Sequence, residues 1–176
     1  VLEIEAEHAT PAELLTAILK APAELLYLGG IGTYVKAKGE SHVDVGDKTN
    51  DALRVNGAEL RVKVVGEGAN LGLTQAGRIE YALRGAGGAG GRINTDAIDN
   101  SAGVDTSDHE VNIKIATGAL ERTGVLNRTK RDKLLKSMTD DIATHVLAHN
   151  YDQTLALSLM DLDAVGELEP HARFMS

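Results

Sequence analysis

Arg61-Val62-Lys63-Val64-Val65, followed at once by Gly66-Glu67-Gly68-Ala69-Asn70-Leu71-Gly72, is the stretch on which the fold of this 176-residue chain turns. A short run with three valines, closed by a glycine turn, leads into Thr74–Leu83, where Ile79 and Leu83 lie four apart. That order reads as strand, turn, helix. Two more runs repeat it. Glu24–Leu28 (ELLYL) is mostly apolar and ends at Gly29-Gly30, as expected of a strand buried on both faces. Arg92–Asp96 (RINTD) is the third expected strand. The three recur roughly every 30 to 36 residues with helical patterns between them, the signature of βαβ units. Right-handed crossovers would place them in one parallel sheet.

Outward from this centre the elements are mostly helical. Thr10-Pro11-Ala12-Glu13 combines an N-cap hydroxyl, a proline at the first helical position and a carboxylate three residues after the cap. Leu14, Leu15 and Ile18 form its apolar stripe, and Lys20-Ala21-Pro22 ends it. Lys38–Asp51 is a polar excursion with one helical turn expected around Asp47–Leu53. From Ser107 the chain turns helical: Ser107-Asp108-His109-Glu110 reads as a capping box for a helix holding Val111, Ile115 and Ala119 on one face. Leu134, Leu135, Met138, Ile142 and Val146 share a stripe over Thr129–Asn150, with Asn150 as the expected stop. Asp152–Met160 reads as a further helix, and Glu169–Phe174 as the start of another. The expected fold class is α/β: a partial Rossmann-like parallel sheet followed by a helical C-terminal segment.

Composition excludes several function classes. With no cysteine, disulfide frameworks, thiolate zinc sites and cysteine nucleophiles are out. Eighteen basic against 26 acidic residues, a net charge of -8, argue against nucleic acid or an anionic membrane as the main partner. Lys20, Pro22 and Glu24 break the most apolar run, Leu14 to Leu28, well short of the ~18 residues a span requires. No secretory signal shows at Val1–Thr10, which holds three Glu and no Lys or Arg. The start at Val1 suggests a processed chain or part of something larger, with a cytoplasmic location expected by default. Hydrophobic residues make up 43% but aromatics only 3%, so the core must be aliphatic.

Three glycine clusters compete for a nucleotide role. Gly85-Ala86-Gly87-Gly88-Ala89-Gly90 matches GxGxxG to the letter but follows a helix and precedes a strand. Only the reverse order sets a phosphate on a helix N-terminus, so this one is rejected as a surface loop. Gly66–Gly72 has the right order and reads either as a nucleotide loop, with Asp96 as a ribose-binding acid, or as a plain tight turn. Gly29-Gly30-Ile31-Gly32 and Asp99-Asn100-Ser101-Ala102-Gly103 also follow expected strands. All three loops then meet at the carboxyl edge of the sheet, where open α/β proteins bind ligands. His145 and His149 lie four apart on a helix but show no evident third ligand, so solvated or structurally bonded histidines are expected. Asp96, Asp99, Asp105, Asp108 and Glu110 could hold a hard cation, or serve as caps and helix-dipole partners.

The runs GGIGTYVKA (Gly29–Ala37), GEGANLGLTQAGRIEYA (Gly66–Ala82), RINTDAIDNSAGV (Arg92–Val104) and SDHEVNIKI (Ser107–Ile115) resemble the large bacterial NAD-specific glutamate dehydrogenases. The likeness extends from about Thr10 to Leu159. Glu67-Gly68-Ala69-Asn70 is similar to the EGAN loop of glutamate dehydrogenases generally. Asn100–Val104 with Ser107 and Glu110 resembles their N-A-G-G-V…S…E segment, with Ser101-Ala102 in place of Ala-Gly. Tyr27 stands where the family suggests Trp, and Lys38–Val55 has no counterpart in the small enzymes.

The resemblance implies residues 1–105 as the C-terminal part of a dinucleotide-binding domain and 106–176 as a helical segment packing back toward a substrate domain. It implies NAD as cofactor, met by Gly29, Gly30, Gly68, Ala69, Asn70 and Asn100, with Gly66–Gly72 at the nicotinamide riboside rather than the pyrophosphate. It implies L-glutamate and 2-oxoglutarate as substrate and product, with Val104 and Ser107 on the substrate side. The remainder of a parent chain and further copies in a homo-oligomer are the implied partners. The family's catalytic lysines and aspartate match nothing here, so no catalytic residue is assigned, no metal is expected and the chain alone is expected to be inactive. Apart from the resemblance, the loop layout equally fits a non-catalytic nucleotide- or metabolite-binding regulatory module, and less well a helix-mediated interaction domain.

Overall fold

The structure, a computed structural model, describes residues 2–4 and 7–176. It divides into two compact units, Val1–Asn100 and Ser101–Ser176. The first runs α1 (Pro11–Leu19), β1 (Leu25–Leu28), β2 (Val35–Lys36), α2 (His42–Val45), β3 (Val55–Asn56), β4 (Val64–Glu67), α3 (Gln75–Arg84), β5 (Arg92–Ile93) and α4 (Asp96–Asp99). Among the described residues, β1, β4 and β5 form an all-parallel sheet in that order, and β2 and β3 form a separate parallel pair. The fold is α/β with a helical C-terminal part, as the strand–turn–helix repeats predict.

Local signals account for the starts of α1 and α3. The Thr10 hydroxyl accepts the Glu13 N–H at 3.3 Å, and the Glu13 carboxylate accepts the Thr10 N–H at 2.8 Å, closing the capping box of α1. Thr74 caps α3, its hydroxyl accepting the Gly77 N–H at 2.9 Å. The core is aliphatic: Leu19, Leu28, Val35, Val55, Leu60, Val62, Val65 and Leu73 enclose the fully buried Tyr81. The Tyr81 hydroxyl donates to the Val62 carbonyl at 3.1 Å, and burial pushes the phenol up to about 12, so it stays a donor. Helix α3 reaches this core because Gly57 lets its backbone approach; a Cβ there would strike the Gly77 carbonyl and the Tyr81 amide.

Several expectations are corrected. β1 is buried on one face only: Leu28 is buried while Leu25 and Tyr27 are exposed. It pairs with β4 alone among the described residues, and its side chains alternate as on any strand with one packed face. The third strand stops at Ile93 because Arg78 takes the Asn94 carbonyl at 2.7 Å and α4 starts at Asp96. Lys38–Asp51 holds more structure than one turn, with α2 and a 3₁₀ turn at Lys48–Asn50. Its anchor is the buried Arg54 side chain, which donates to the Thr33 carbonyl (2.7 Å) and Asp51 (2.6 Å) and contacts His42 Nδ1 (2.8 Å).

The second unit comprises α5 (Ser101–Arg122), α6 (Arg128–Ser137), α7 (Thr139–Asp163) and α8 (Leu168–Met175). Helix α5 starts at Ser101, six residues before the expected cap, so Ser107 lies inside the helix and caps nothing. Gly103 opposes helix most strongly over Ser101–Thr106, a penalty of about 1 kcal/mol, and packing against α7 outweighs it. Asn150 is no stop either. It sits inside α7 and donates to the Ser101 hydroxyl at 2.8 Å, and no glycine or proline follows until Gly166. The stripe expected over Thr129–Asn150 is instead broken at Met138, between α6 and α7.

One interaction in the first unit stands apart. Glu67, at the end of the central strand, is 0% exposed and pairs with Arg78 of α3, which is 7% exposed. Removing one partner of a buried pair leaves an uncompensated charge at a cost of roughly 3–5 kcal/mol. Arg78→Met should therefore lower stability by about that much, whereas Glu67→Met with Arg78→Met should recover most of the loss. Denaturant melts of the two variants check this; a single variant no less stable than the double would refute it.

Candidate functional site

The loops after β1, β4 and β5 leave the carboxyl ends of the same sheet, as parallel topology requires. After β1 come Gly29 and Gly30, both exposed. A cleft opens beside them, walled by Leu15, Ile18, Leu26, Tyr27 and Leu53. After β4 comes Gly68-Ala69-Asn70. The Gly68 N–H donates to the Leu28 carbonyl at 2.9 Å, tying this loop to β1. Tyr27 lies across Gly68, where a methyl group would collide with the phenol.

The third loop clamps the second. Asp99 Oδ2 accepts the Glu67 N–H at 2.9 Å, and Asp96 Oδ2 accepts the Leu71 N–H at 2.8 Å. Leu71 sits in the left-handed region at φ +61°, a conformation that costs a non-glycine residue about 1–2 kcal/mol. Asp96 holds it there. Its other oxygen accepts from the Thr95 hydroxyl (3.1 Å) and the Ala97 N–H (2.9 Å), and Arg78 Nη2 lies 3.9 Å away. Burial works to raise the Asp96 pKa, but the bonds from Leu71, Thr95 and Ala97 and the Arg78 charge together hold it below its ordinary value. An Asp96 so committed to the protein is a loop anchor, and the ribose-binding reading of it is withdrawn.

Asn70 and Asn100 are brought together by this clamp. The Asn100 amide group donates to the Asn70 carbonyl oxygen across 30 residues of sequence. The pair keeps unused groups: the Asn70 NH₂ as donor and the Asn100 carbonyl oxygen as acceptor, neither bonded among the described residues. The Ala69 and Asn70 backbone N–H groups likewise have no partner among the described residues. Side by side, one donor and one acceptor match the two halves of a carboxamide.

The remaining expected residues lie in the second unit, on α5. Val104 is exposed, and so is Ser107, whose hydroxyl makes no hydrogen bond among the described residues. Its neighbour Thr106 bonds back to the Ala102 carbonyl at 2.7 Å. The rejected Gly85–Gly90 run forms a short turn at Ala86–Gly88 that precedes β5, at the opposite end of the strands from the loops above. His149 does gain a neighbour that spacing alone did not show: Asp105, at 2.8 Å.

Sequence reasoning passed over Glu67 and Arg78 as a pair and over Tyr27 as the cover of Gly68. A lone carboxylate ending a valine-rich strand, eleven residues before an arginine on the following helix, was the available signal for the first. No signal foretold the second.

A family profile described as "Bacterial NAD-glutamate dehydrogenase, catalytic domain" matches residues 1–160. The chain is 52% identical over 173 residues to the NAD-specific glutamate dehydrogenase of Pseudomonas aeruginosa, covering 98% of this chain and 10% of that protein. It is 52% identical over 167 residues to the protein of that name from Mycobacterium tuberculosis, covering 95% of this chain and 10% of the relative. To the one from Halomonas elongata it is 48% identical over its whole length, 11% of that relative. The chain thus spans about a tenth of the length of these curated relatives.

The clamp makes a pH prediction. A carboxyl whose folded pKa lies below its unfolded value, 3.8, stabilises fully above that value and loses the contribution as pH falls through the folded pKa. Asp96→Asn should cost about 1.5–3 kcal/mol near neutral pH, the scale of a hydrogen bond to a charged group, and less in acid. Amide exchange at Leu71 should accelerate in the variant at pH 6, and the difference from wild type should shrink as the pH is taken progressively below 3.8. Equal exchange at pH 6 would show that Asp96 does not hold the loop.

Proposed function

Because this chain belongs to the bacterial NAD-glutamate dehydrogenase family, we propose that it forms the nicotinamide-side edge of the NAD site, plus part of the glutamate site, of an enzyme that oxidatively deaminates L-glutamate. Residues 1–105 are then the C-terminal part of a Rossmann-like dinucleotide-binding domain, and 106–176 the helical segment returning toward a substrate domain. The product is 2-oxoglutarate with ammonia, and hydride passes to NAD. The remainder of a longer chain supplies the catalytic groups, in a cytoplasmic homo-oligomer. Among the described residues no helix is long and apolar enough to cross a membrane.

The observation that carries this reading is the Asn70–Asn100 amide pair at the sheet's carboxyl edge. Its free donor and acceptor suit the nicotinamide carboxamide, and the Ala69 and Asn70 N–H groups suit the adjoining ribose hydroxyls. Gly29 and Gly30 put bare backbone at the same edge, and Gly68 leaves room for Tyr27 to lie over the loop. The protein's contribution here is orientation: fixed hydrogen bonds hold the carboxamide, and with it the ring face that receives hydride. Glu67, Arg78, Asp96 and Asp99 keep those groups still through bonds within the protein. On α5, the uncommitted Ser107 hydroxyl is free to bind the side-chain carboxylate of glutamate, with Val104 packing beside it.

In the full-length enzyme, Asn70→Ala and Asn100→Ala should each weaken NAD binding by about 0.5–1.5 kcal/mol, roughly 2- to 12-fold, with thermal stability little changed. Unchanged NAD kinetics in both would reduce the pair to a turn-stabilising contact. Ser107→Ala is now a clean test, because there is no cap to lose: folding stability should shift by less than about 0.5 kcal/mol while the KM for glutamate rises and that for NAD does not. An unaltered glutamate KM would remove Ser107 from the site. The 176-residue chain by itself should give no glutamate-dependent NADH formation, since no lysine in it matches the family's catalytic motif.

A further inference from the structure

Helices α5 and α7 bring together three metal-ligating side chains that neither helix presents alone. Asp105 and His109 lie one turn apart on α5, and His149 faces them from α7. One ligand atom from each lies within 4.8 Å of the other two. Asp105 Oδ2 is 2.8 Å from His149 Nδ1, and Asp105 Oδ1 is 3.4 Å from His109 Nε2. The two imidazoles are stacked, their centroids 6.1 Å apart and their planes 21° apart. His109 Nε2 is shielded from solvent yet makes no hydrogen bond, its 3.4 Å approach to Asp105 lacking the geometry of one. A ring nitrogen withdrawn from water and aimed at a carboxylate without bonding it is an unmet polar group, which native structures seldom leave.

We propose that Asp105, His109 and His149 form a three-ligand site for a divalent first-row transition ion of the zinc class, clamping α5 to α7. The donor set decides the class. Two neutral imidazoles and one carboxylate suit zinc, cobalt or nickel, whereas calcium and magnesium require oxygen ligands in number. Zinc–nitrogen and zinc–oxygen bonds of about 2.0–2.2 Å in a tetrahedron set neighbouring donors roughly 3.2–3.6 Å apart. His109 Nε2 lies 3.4 Å from Asp105 Oδ1, inside that range, while His149 Nδ1 bonds the other oxygen, Oδ2, at 2.8 Å, so gathering the three donors on one ion asks the carboxylate to turn and that hydrogen bond to open. Three protein ligands leave the fourth position to water. Asp105 and His109 are partly buried and His149 is exposed, so an ion can enter from solvent. His145, one turn before His149 with ring centroids 6.3 Å apart, is outside the ligand set.

The ligands reside in the second unit and do not depend on the cofactor reading, so the test needs no turnover. The full-length protein, stripped with chelator, is titrated with Co²⁺ while its visible d–d absorption is followed, and bound Zn²⁺ is counted after gel filtration. Asp105→Asn, which can still accept the hydrogen bond from His149, His109→Gln and His149→Gln should each bind one equivalent fewer than wild type and lose the same Co²⁺ bands. His145→Ala should keep both. Zn²⁺ should raise the melting temperature of wild type and not that of Asp105→Asn, which also shows that the variant is folded. Equal stoichiometry and equal spectra in wild type and Asp105→Asn would overturn the proposal. So would loss of the equivalent in His145→Ala but not in Asp105→Asn, since the ion would then sit on the plain i, i+4 histidine pair.

Discussion

The buried Glu67–Arg78 pair is the constraint from which the first unit's organisation follows. A carboxylate fully removed from water at the end of the central strand must find a cation and further donors, or remain protonated. Arg78 supplies the cation from α3, and the Leu73 N–H adds a bond at 3.3 Å, so the chain leaving β4 must fold back over its own strand end. The same guanidinium takes the Asn94 carbonyl at 2.7 Å, which fixes where β5 ends. A single ion pair thus sets the path of two of the three loops at the carboxyl edge. Such pairs add little net stability over a well-packed apolar pair, but they define register, because the alternative is an unpaired buried charge.

What that pair positions is then locked by two aspartates at the opening of α4. Asp99 holds the Glu67 amide and Asp96 the Leu71 amide, so the loop between them is pinned at both ends. The strain at Leu71 persists because its N–H has a charged acceptor. Asn70 lies inside the pinned segment and Asn100 directly follows α4, which is why amides 30 positions apart meet. Hydrogen-bonding groups on a loop pinned in this way are the kind of fixed donors and acceptors that the proposed cofactor contact calls for.

The second unit is built differently. Its described residues bury few side chains: Thr117 and Val146 are the buried ones, and the faces of α5 and α7 carry exposed Val111, Ile115, Leu147 and Leu155. Polar bonds fasten its helices. Asn150 reaches Ser101, His149 reaches Asp105, and Arg131 reaches both Thr117 and Glu121. A metal ion at Asp105, His109 and His149 would add a bond of the same kind where apolar packing is thin.

By itself the sequence determined the local grammar. The Thr10 cap, the gathering of the strands at 25–28, 64–67 and 92–93 into one parallel sheet, and the place of Gly85–Gly90 between a helix and a strand depend on neighbours within a few residues or on crossover handedness, and all were legible. It also placed Gly68, Asn70 and Asn100 at one edge, because parallel strands must put their exits together. Tertiary structure decided what depends on partners far along the chain. Ser107 had a complete capping box, yet helix began at Ser101 because α7 offers Asn150 and His149 to that earlier turn, and a cap worth about 1 kcal/mol is easily outweighed. Asp96 looked like a ribose acid until the Leu71 amide, 25 residues away, claimed it. His149 looked like half of a helical histidine pair until Asp105 and His109 came within reach from α5. In each case the residue's local pattern allowed two roles, and the choice fell to a contact that no spacing in the sequence encodes.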